Sequence, residues 1–223
     1  GTKVGFHFGK LIEDKLALFN DFVKEFKKID PKESNPSVIA GLLQYIKQMD
    51  TILYHQIIQS LLRDDFMNLF LFDIIRMQDL DAYDLSVIEQ LVETKLVNPN
   101  QFRALSYGSV LDSCSPEHIH RLICSVVEIS ADFVHPSIDI LAMYLMFDEG
   151  SIKLHNISPF VQELIIKAPL ASYINEDSMS LYHRQELIKK ILKLKELDPK
   201  FLSFIIYDVL DITKDYWSSY SLH

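Results

Sequence analysis

Along this chain the hydrophobic positions recur at steps of three and four, the period of a helix with one buried face. After Gly9, residues Leu11, Ile12, Leu16, Phe19, Phe22, Val23 and Phe26 fall on one side of a helix. The stripe resumes with Val38, Ile39, Leu42, Leu43 and Ile46, and again with Ile52, Leu53, Ile57, Ile58, Leu61 and Leu62. Phe66 to Met77 is apolar almost all round, which predicts a central buried helix. Further helices are predicted at about 84–97, 99–111, 115–129, 136–148, 158–167, 181–197 and 198–213. Alternation of period two is absent over any useful length, so no strand is expected.

Proline sharpens the boundaries. At the first helical position its missing N–H costs nothing, and Ser, Asn or Asp just before it caps the helix. Asn35-Pro36, Asn98-Pro99, Ser115-Pro116, Ser158-Pro159 and Asp198-Pro199 repeat that pair, with His135-Pro136 a weaker case, so six of the eight prolines predict helix starts. Prolines 99, 116, 136 and 159 are 17, 20 and 23 residues apart, room for one short helix and a tight connection each time. Neighbouring helices are then antiparallel. About eleven helices in stacked antiparallel hairpins result, and over roughly residues 35–170 the arrangement is similar to a HEAT- or armadillo-type α-solenoid. The resemblance is one of helix and loop length, without a quotable repeat consensus. A globular helical bundle is the alternative. The expectation is a single all-α domain over 1–223.

The composition is that of a protein with a core. Of 223 residues 48% are hydrophobic and 24% charged, and a compact domain of this size buries roughly 70–75% of its unfolded surface. The most apolar stretch is too short to span a bilayer and carries Asp73 and Arg76. No secretory leader is recognisable. Cys114 and Cys124 are too few for a disulfide framework and are expected as free thiols in a reducing compartment, so a cytoplasmic or other intracellular location is expected. Gly1 in place of a starting Met suggests a piece of a longer protein.

The net charge of −9 argues against general affinity for a nucleic-acid backbone. The charge is uneven. Residues 64–149 hold 15 acidic and 4 basic residues, whereas 184–200 hold 6 basic and 3 acidic.

Four patterns invite a chemical reading. Gly5-Phe6-His7-Phe8-Gly9-Lys10 resembles a phosphate loop, but its glycines are too close, Leu11 stands where Ser or Thr is needed, and no strand precedes it. It reads as a loop entering the first helix. Asp79-Leu80-Asp81-Ala82-Tyr83-Asp84 resembles the opening of a calcium loop, yet Tyr83, Asp84 and Gln90 occupy the fifth, sixth and twelfth places, where oxygen, glycine and carboxylate are required. It reads as an acidic inter-helix loop ending in the N-cap Asp84. Asp64-Asp65-Phe66-Met67-Asn68 is similar to the DDxxD/N motif by which helical terpenoid synthases hold magnesium and diphosphate. The second motif of that family fails here, because Glu176-Asp177 through Ser180 ends on Arg184 where Glu is wanted. Asp64 and Asp65 are therefore expected to serve a helix start. His118 and His120, two apart, point to different faces of a helix and cannot share a metal. No catalytic residue, metal site or cofactor is expected.

Three surfaces remain as partner-binding candidates: the acidic loop with Asp79, Asp81 and Asp84; the basic helix with Lys189, Lys190 and Lys193; and the aromatic tail with Tyr216, Trp217 and Tyr220. A helical stack without internal chemistry presents a surface to another protein. The functional expectation is a non-enzymatic protein–protein interaction or scaffolding domain. The alternatives are an all-α enzyme with a magnesium/diphosphate site at Asp64/Asp65, and a nucleic-acid-binding helical stack using the lysines of 184–200.

Overall fold

The structure, a computed structural model, describes residues 1–146, 148, 152–173, 178–194 and 197–220, the last ten by backbone alone. It is all-helical, 74% helix, with twelve α-helices and no strand among the described residues. Two compact units divide the chain: Gly1–Val97 with Ser109–Ser113, and Asn98–Gly108 with Cys114–His223.

The first unit contains α1 (Thr2–Leu11), α2 (Lys15–Phe26), α3 (Ser37–Met49), α4 (Thr51–Leu62), α5 (Asn68–Ile75) and α6 (Ala82–Glu93). Helix α3 is its centre, in contact with α1, α2, α4 and α5. Leu42, Leu43, Ile46, Ile58, Leu71, Ile74 and Ile75 are sealed from solvent there. Phe26 closes one side by meeting the Phe70 ring edge-on at 5.0 Å, a favoured aromatic geometry.

The opening of the chain corrects the sequence reading. Residues 5–10 form the middle of α1 and not a loop, and the single helix expected over 11–26 is two. The break lies at Asp14, whose carboxylate accepts from Ala17 N at 2.9 Å and so caps α2. What holds α1 is glycine. A Cβ on Gly5 would lie 1.9 Å from Val38 O, and one on Gly41 1.9 Å from Thr2 O. Backbone therefore meets backbone at the α1–α3 crossing, and no other residue leaves room.

The second unit contains α7 (Pro99–Arg103), α8 (Pro116–Ile129), α9 (Val134–Tyr144), α10 (Ile152–Ile166), α11 (Ser178–Ile191) and α12 (Pro199–Tyr220), with 3₁₀ turns at Ala104–Ser106, Ala131–Phe133 and Leu170–Tyr173. Helices two apart in sequence touch: α8 with α10, α9 with α11, and α10 with α12. Ile119, Ile123, Ile138, Leu141, Val161, Ile165, Leu187 and Phe201 form the core between them.

Pro99, Pro116 and Pro199 stand at helix starts as expected, and Asn98 adds a capping box by accepting from Gln101 N at 3.0 Å. Two prolines do not. Pro136 is the third residue of α9, and Pro159 lies in the interior of α10. Helix α10 is started instead by Asp148, whose two oxygens accept from Lys153 N at 3.0 Å and Leu154 N at 2.9 Å. The expected 99–111 helix ends at Arg103 and continues only as a 3₁₀ turn.

Candidate functional site

The acidic loop is only partly a surface. Asp81, not Asp84, is the N-cap of α6: its Oδ1 accepts from Tyr83 N at 2.9 Å and Asp84 N at 3.1 Å. Asp84 completes the capping box by accepting from Asp81 N at 3.1 Å. Its side chain is wholly buried, where it accepts from Tyr54 Oη at 2.6 Å and pairs with Lys47. Lys47 also reaches Asp81 at 3.0 Å and Asp79 O at 2.8 Å. Burial pushes the Asp84 carboxyl above the usual carboxylate range, against the pull of Lys47 and Tyr54. Burial also opposes the Lys47 charge, but Asp84 and Asp81 outweigh it and hold its pKa above the ordinary value. Of the three loop carboxylates, Asp79 faces solvent, Asp81 does so in part, and Asp84 is a core residue. The expectation that all three form an exposed acidic patch is corrected accordingly.

Asp64 is similarly engaged. Its Oδ1 accepts from Phe66 N at 3.1 Å and Met67 N at 3.0 Å, and Lys27 pairs with its other oxygen. Desolvation is outweighed by Lys27 and these two amides, which together hold its carboxyl below the usual range. Asp65 is exposed. Ser180 and Arg184, the remnants of the second diphosphate motif, are buried, and Glu176 and Asp177 lie outside the described residues.

The basic helix α11 divides by face. Lys189 is exposed and pairs with Glu186 at 2.6 Å. Lys190 donates to Leu145 O at 2.6 Å and Met146 O at 3.3 Å, fastening the end of α9. Lys193 is exposed. The side chains of Tyr216, Trp217 and Tyr220 lie outside the described residues.

Two arrangements had no part in the sequence expectations. One is a buried polar cluster between α9 and α11. Asp139 accepts from Ser180 Oγ at 2.8 Å, faces His183 Nδ1 at 2.8 Å and lies 3.0 Å from Arg103 Nε. Asp139 in an apolar run, and Ser180 and His183 three apart on one helix face, are the signals that sequence offers for it. Beside it lies a cavity of about 110 Å³ lined by Ala142, Met146, Tyr182, His183, Glu186, Leu187 and Lys190. On the far side of α11, Arg184 is also buried: it donates to Ala168 O at 2.9 Å and pairs with Asp208 of α12. Asp208 accepts in turn from Leu170 N at 2.7 Å.

The other is the outer face of α1. Gly5 and Gly9, four apart, turn inward, so Val4, Phe8 and Leu11 turn outward. Val4 is 51% and Leu11 74% exposed, large values for apolar side chains. With Lys3 and His7 they line an open hollow of about 390 Å³. A second hollow, of about 490 Å³, runs along the other flank of α1 and is lined by Lys3, Phe6, His7, Lys10, Gln44, Gln48, Thr2 and Met77.

Among the described residues no three His, Cys, Asp or Glu side chains converge on a point that could hold a metal ion. Among them no helix is long and apolar enough to cross a membrane. Compared with family models, curated proteins and solved structures, the chain finds no match in any of the three.

Proposed function

We propose that the chain is a non-enzymatic protein–protein interaction module whose first unit meets its partner on the outer face of α1. The observation that carries this reading is the pairing of an exposed apolar stripe with a basic border. Val4, Phe8 and Leu11 form the stripe, continued by Ile12 and Leu16, each more than 40% exposed. Contiguous exposed apolar surface of this kind marks interaction sites.

Lys3, His7 and Lys10 follow one another at helical spacing along one side of the stripe, and residues 1–12 hold no Asp or Glu in a chain of net charge −9. The partner that fits is an amphipathic helix whose apolar stripe is bordered by Asp or Glu on the side facing these bases. A bilayer surface would engage charges on both flanks of the stripe, and here they line only one. The glycine crossing seats α1 closely on α3, so the face is formed before a partner arrives.

The test uses two synthetic helical peptides with the same leucine stripe, one bordered by Glu and one by Lys, titrated by fluorescence anisotropy. The Glu-bordered peptide should bind with an affinity that falls as salt rises, and the Lys-bordered one should not. Leu11→Glu should abolish binding, while Lys3→Glu with Lys10→Glu should transfer it to the Lys-bordered peptide, both with unchanged circular dichroism. Equal binding of the two peptides, self-association through this face, or selective binding of anionic vesicles would each overturn the reading.

A further inference from the structure

The hollow of about 490 Å³ between α1 and α3 is lined by hydrogen-bond donors and, among the described residues, by no carboxylate. Lys3, His7 and Lys10 supply one wall from α1, and Gln44 and Gln48, four apart on α3, supply the other. Lys10 is placed by the Phe6 ring, over which its ammonium lies 4.9 Å from the centroid. The side chains of Lys3, His7, Gln44 and Gln48 make no ion pair or hydrogen bond to any described residue, in a chain whose net charge is −9. Acids are available to this protein, and none is spent here.

The spacing lets these donors converge. At about 1.5 Å per residue, Lys3 and Lys10 lie about 6 Å and about 4.5 Å along the axis on either side of His7. Both flexible stems therefore reach an anion seated at the level of His7. The imidazole offers at least one N–H in either charge state, and each glutamine amide offers two. A carboxylate brings one charge and two oxygens to this set and leaves part of it unused. A phosphate monoester brings a charge of about −1.5 to −2 and three acceptor oxygens, enough to engage both ammonium groups and the amides together.

The occupant follows from the neighbouring hollow. Lys3 and His7 line both this one and the open hollow along the apolar stripe of Val4, Phe8 and Leu11. A helix laid on the stripe runs its border over the donors. We infer that the hollow between α1 and α3 is a phosphate-monoester site, taking a phosphorylated Ser or Thr on the border of the docked helix, so that phosphorylation of the partner strengthens the contact. The occupant rests on the α1 reading; the donor set does not.

Inorganic phosphate and synthetic peptides are the probes, used with the full chain at pH 7. Phosphate should shift the side-chain amide resonances of Gln44 and Gln48 to saturation, and chloride at equal ionic strength should not. A leucine-stripe helical peptide with a glutamine border is made in three forms, with Ser, Glu or phosphoserine at the centre of that border. By fluorescence anisotropy the phosphoserine form should bind at least about tenfold more tightly than the Glu form, the result of added charge-assisted hydrogen bonds. Gln44→Ala with Gln48→Ala, at unchanged circular dichroism, should bring the two forms within about threefold of each other, because the added bonds are lost. Amides that phosphate does not shift, a phosphoserine form no tighter than the Glu form, or an advantage kept in the double variant would each overturn the inference and leave the α1 reading standing. Binding of none of the three peptides, with phosphate still shifting the amides, would sink the α1 reading and this occupant with it.

Discussion

Lys47, Asp84 and Tyr54 show what a buried charge demands of its neighbours. The Asp84 side chain is sealed from bulk solvent, and its oxygens are satisfied by the Lys47 ammonium, the Tyr54 hydroxyl and the Asp81 amide. Removing one partner leaves the others in place, so the cost depends on which is removed. Tyr54→Phe takes one neutral donor from a buried acceptor and should destabilise by about 1–3 kcal/mol. Lys47→Met leaves a buried carboxylate without its counter-charge and should cost about 3–5 kcal/mol. Urea unfolding of the two variants should return that order. The reverse order would mean that Asp84 is held mainly by its hydroxyl and amide donors.

At the scale of elements, glycine and proline decide how helices meet and how well they form. A methyl group at Gly5 or Gly41 runs into main-chain oxygen at 1.9 Å, and main chain moves only if the helix moves. At Gly9 the obstacle is the Tyr45 ring at 2.6 Å, a side chain that can turn. Gly5→Ala and Gly41→Ala should therefore destabilise by 1–3 kcal/mol or more, as over-packing does, and Gly9→Ala by less. Comparing the three by chemical denaturation checks the crossing. Pro159 is the opposite case. It is exposed in the interior of α10, where it removes a main-chain donor. Pro159→Ala should stabilise the chain by up to about 3 kcal/mol of helix propensity less the entropy regained by the unfolded chain, read as a higher melting temperature.

For the molecule as a whole, charge sets the pH range of stability. Asp64 and Asp81 are held below the usual carboxylate range: burial opposes this, and Lys27 with two amides, or Lys47 with two amides, outweighs it. A lowered pKa contributes stability that is present above about pH 3.9 and lost as pH falls through the folded value. Asp84 has the opposite sign. Its burial-raised pKa contributes most below that range and is lost as pH rises, so it softens the acid limb. Lys47, raised by Asp84 and Asp81 against its burial, contributes below about pH 10.4 and loses that contribution as pH rises through the folded value. Melting temperature should be flat from about pH 5 to 10 and fall on both sides. Asp64→Asn should shallow the acid fall, and Lys47→Met the alkaline one. An acid limb unchanged in Asp64→Asn would place the acid sensitivity elsewhere.

The helical class, most helix positions and the caps at Asn98 and Ser115 were legible in the sequence, because each depends on residues within one turn of each other. Period and capping are local, and local chemistry survives in a linear string. What only the tertiary structure decided depends on contacts between residues far apart. Gly5 and Gly9 read as a loop because glycine alone signals flexibility, and they pack in α1 against α3, some thirty residues on, where the Gly5 crossing is one that only glycine fits. Ser158-Pro159 read as a helix start, and Asp148, ten residues earlier, had already supplied one. Asp84 read as an exposed cap, and Lys47 and Tyr54, more than thirty and exactly thirty residues away, draw it into the core. Asp139 looked unrelated to Ser180 and His183, being more than forty positions from both. The packing of α9 against α11 brings them together, and the partners of a buried acid can be counted only once that packing exists.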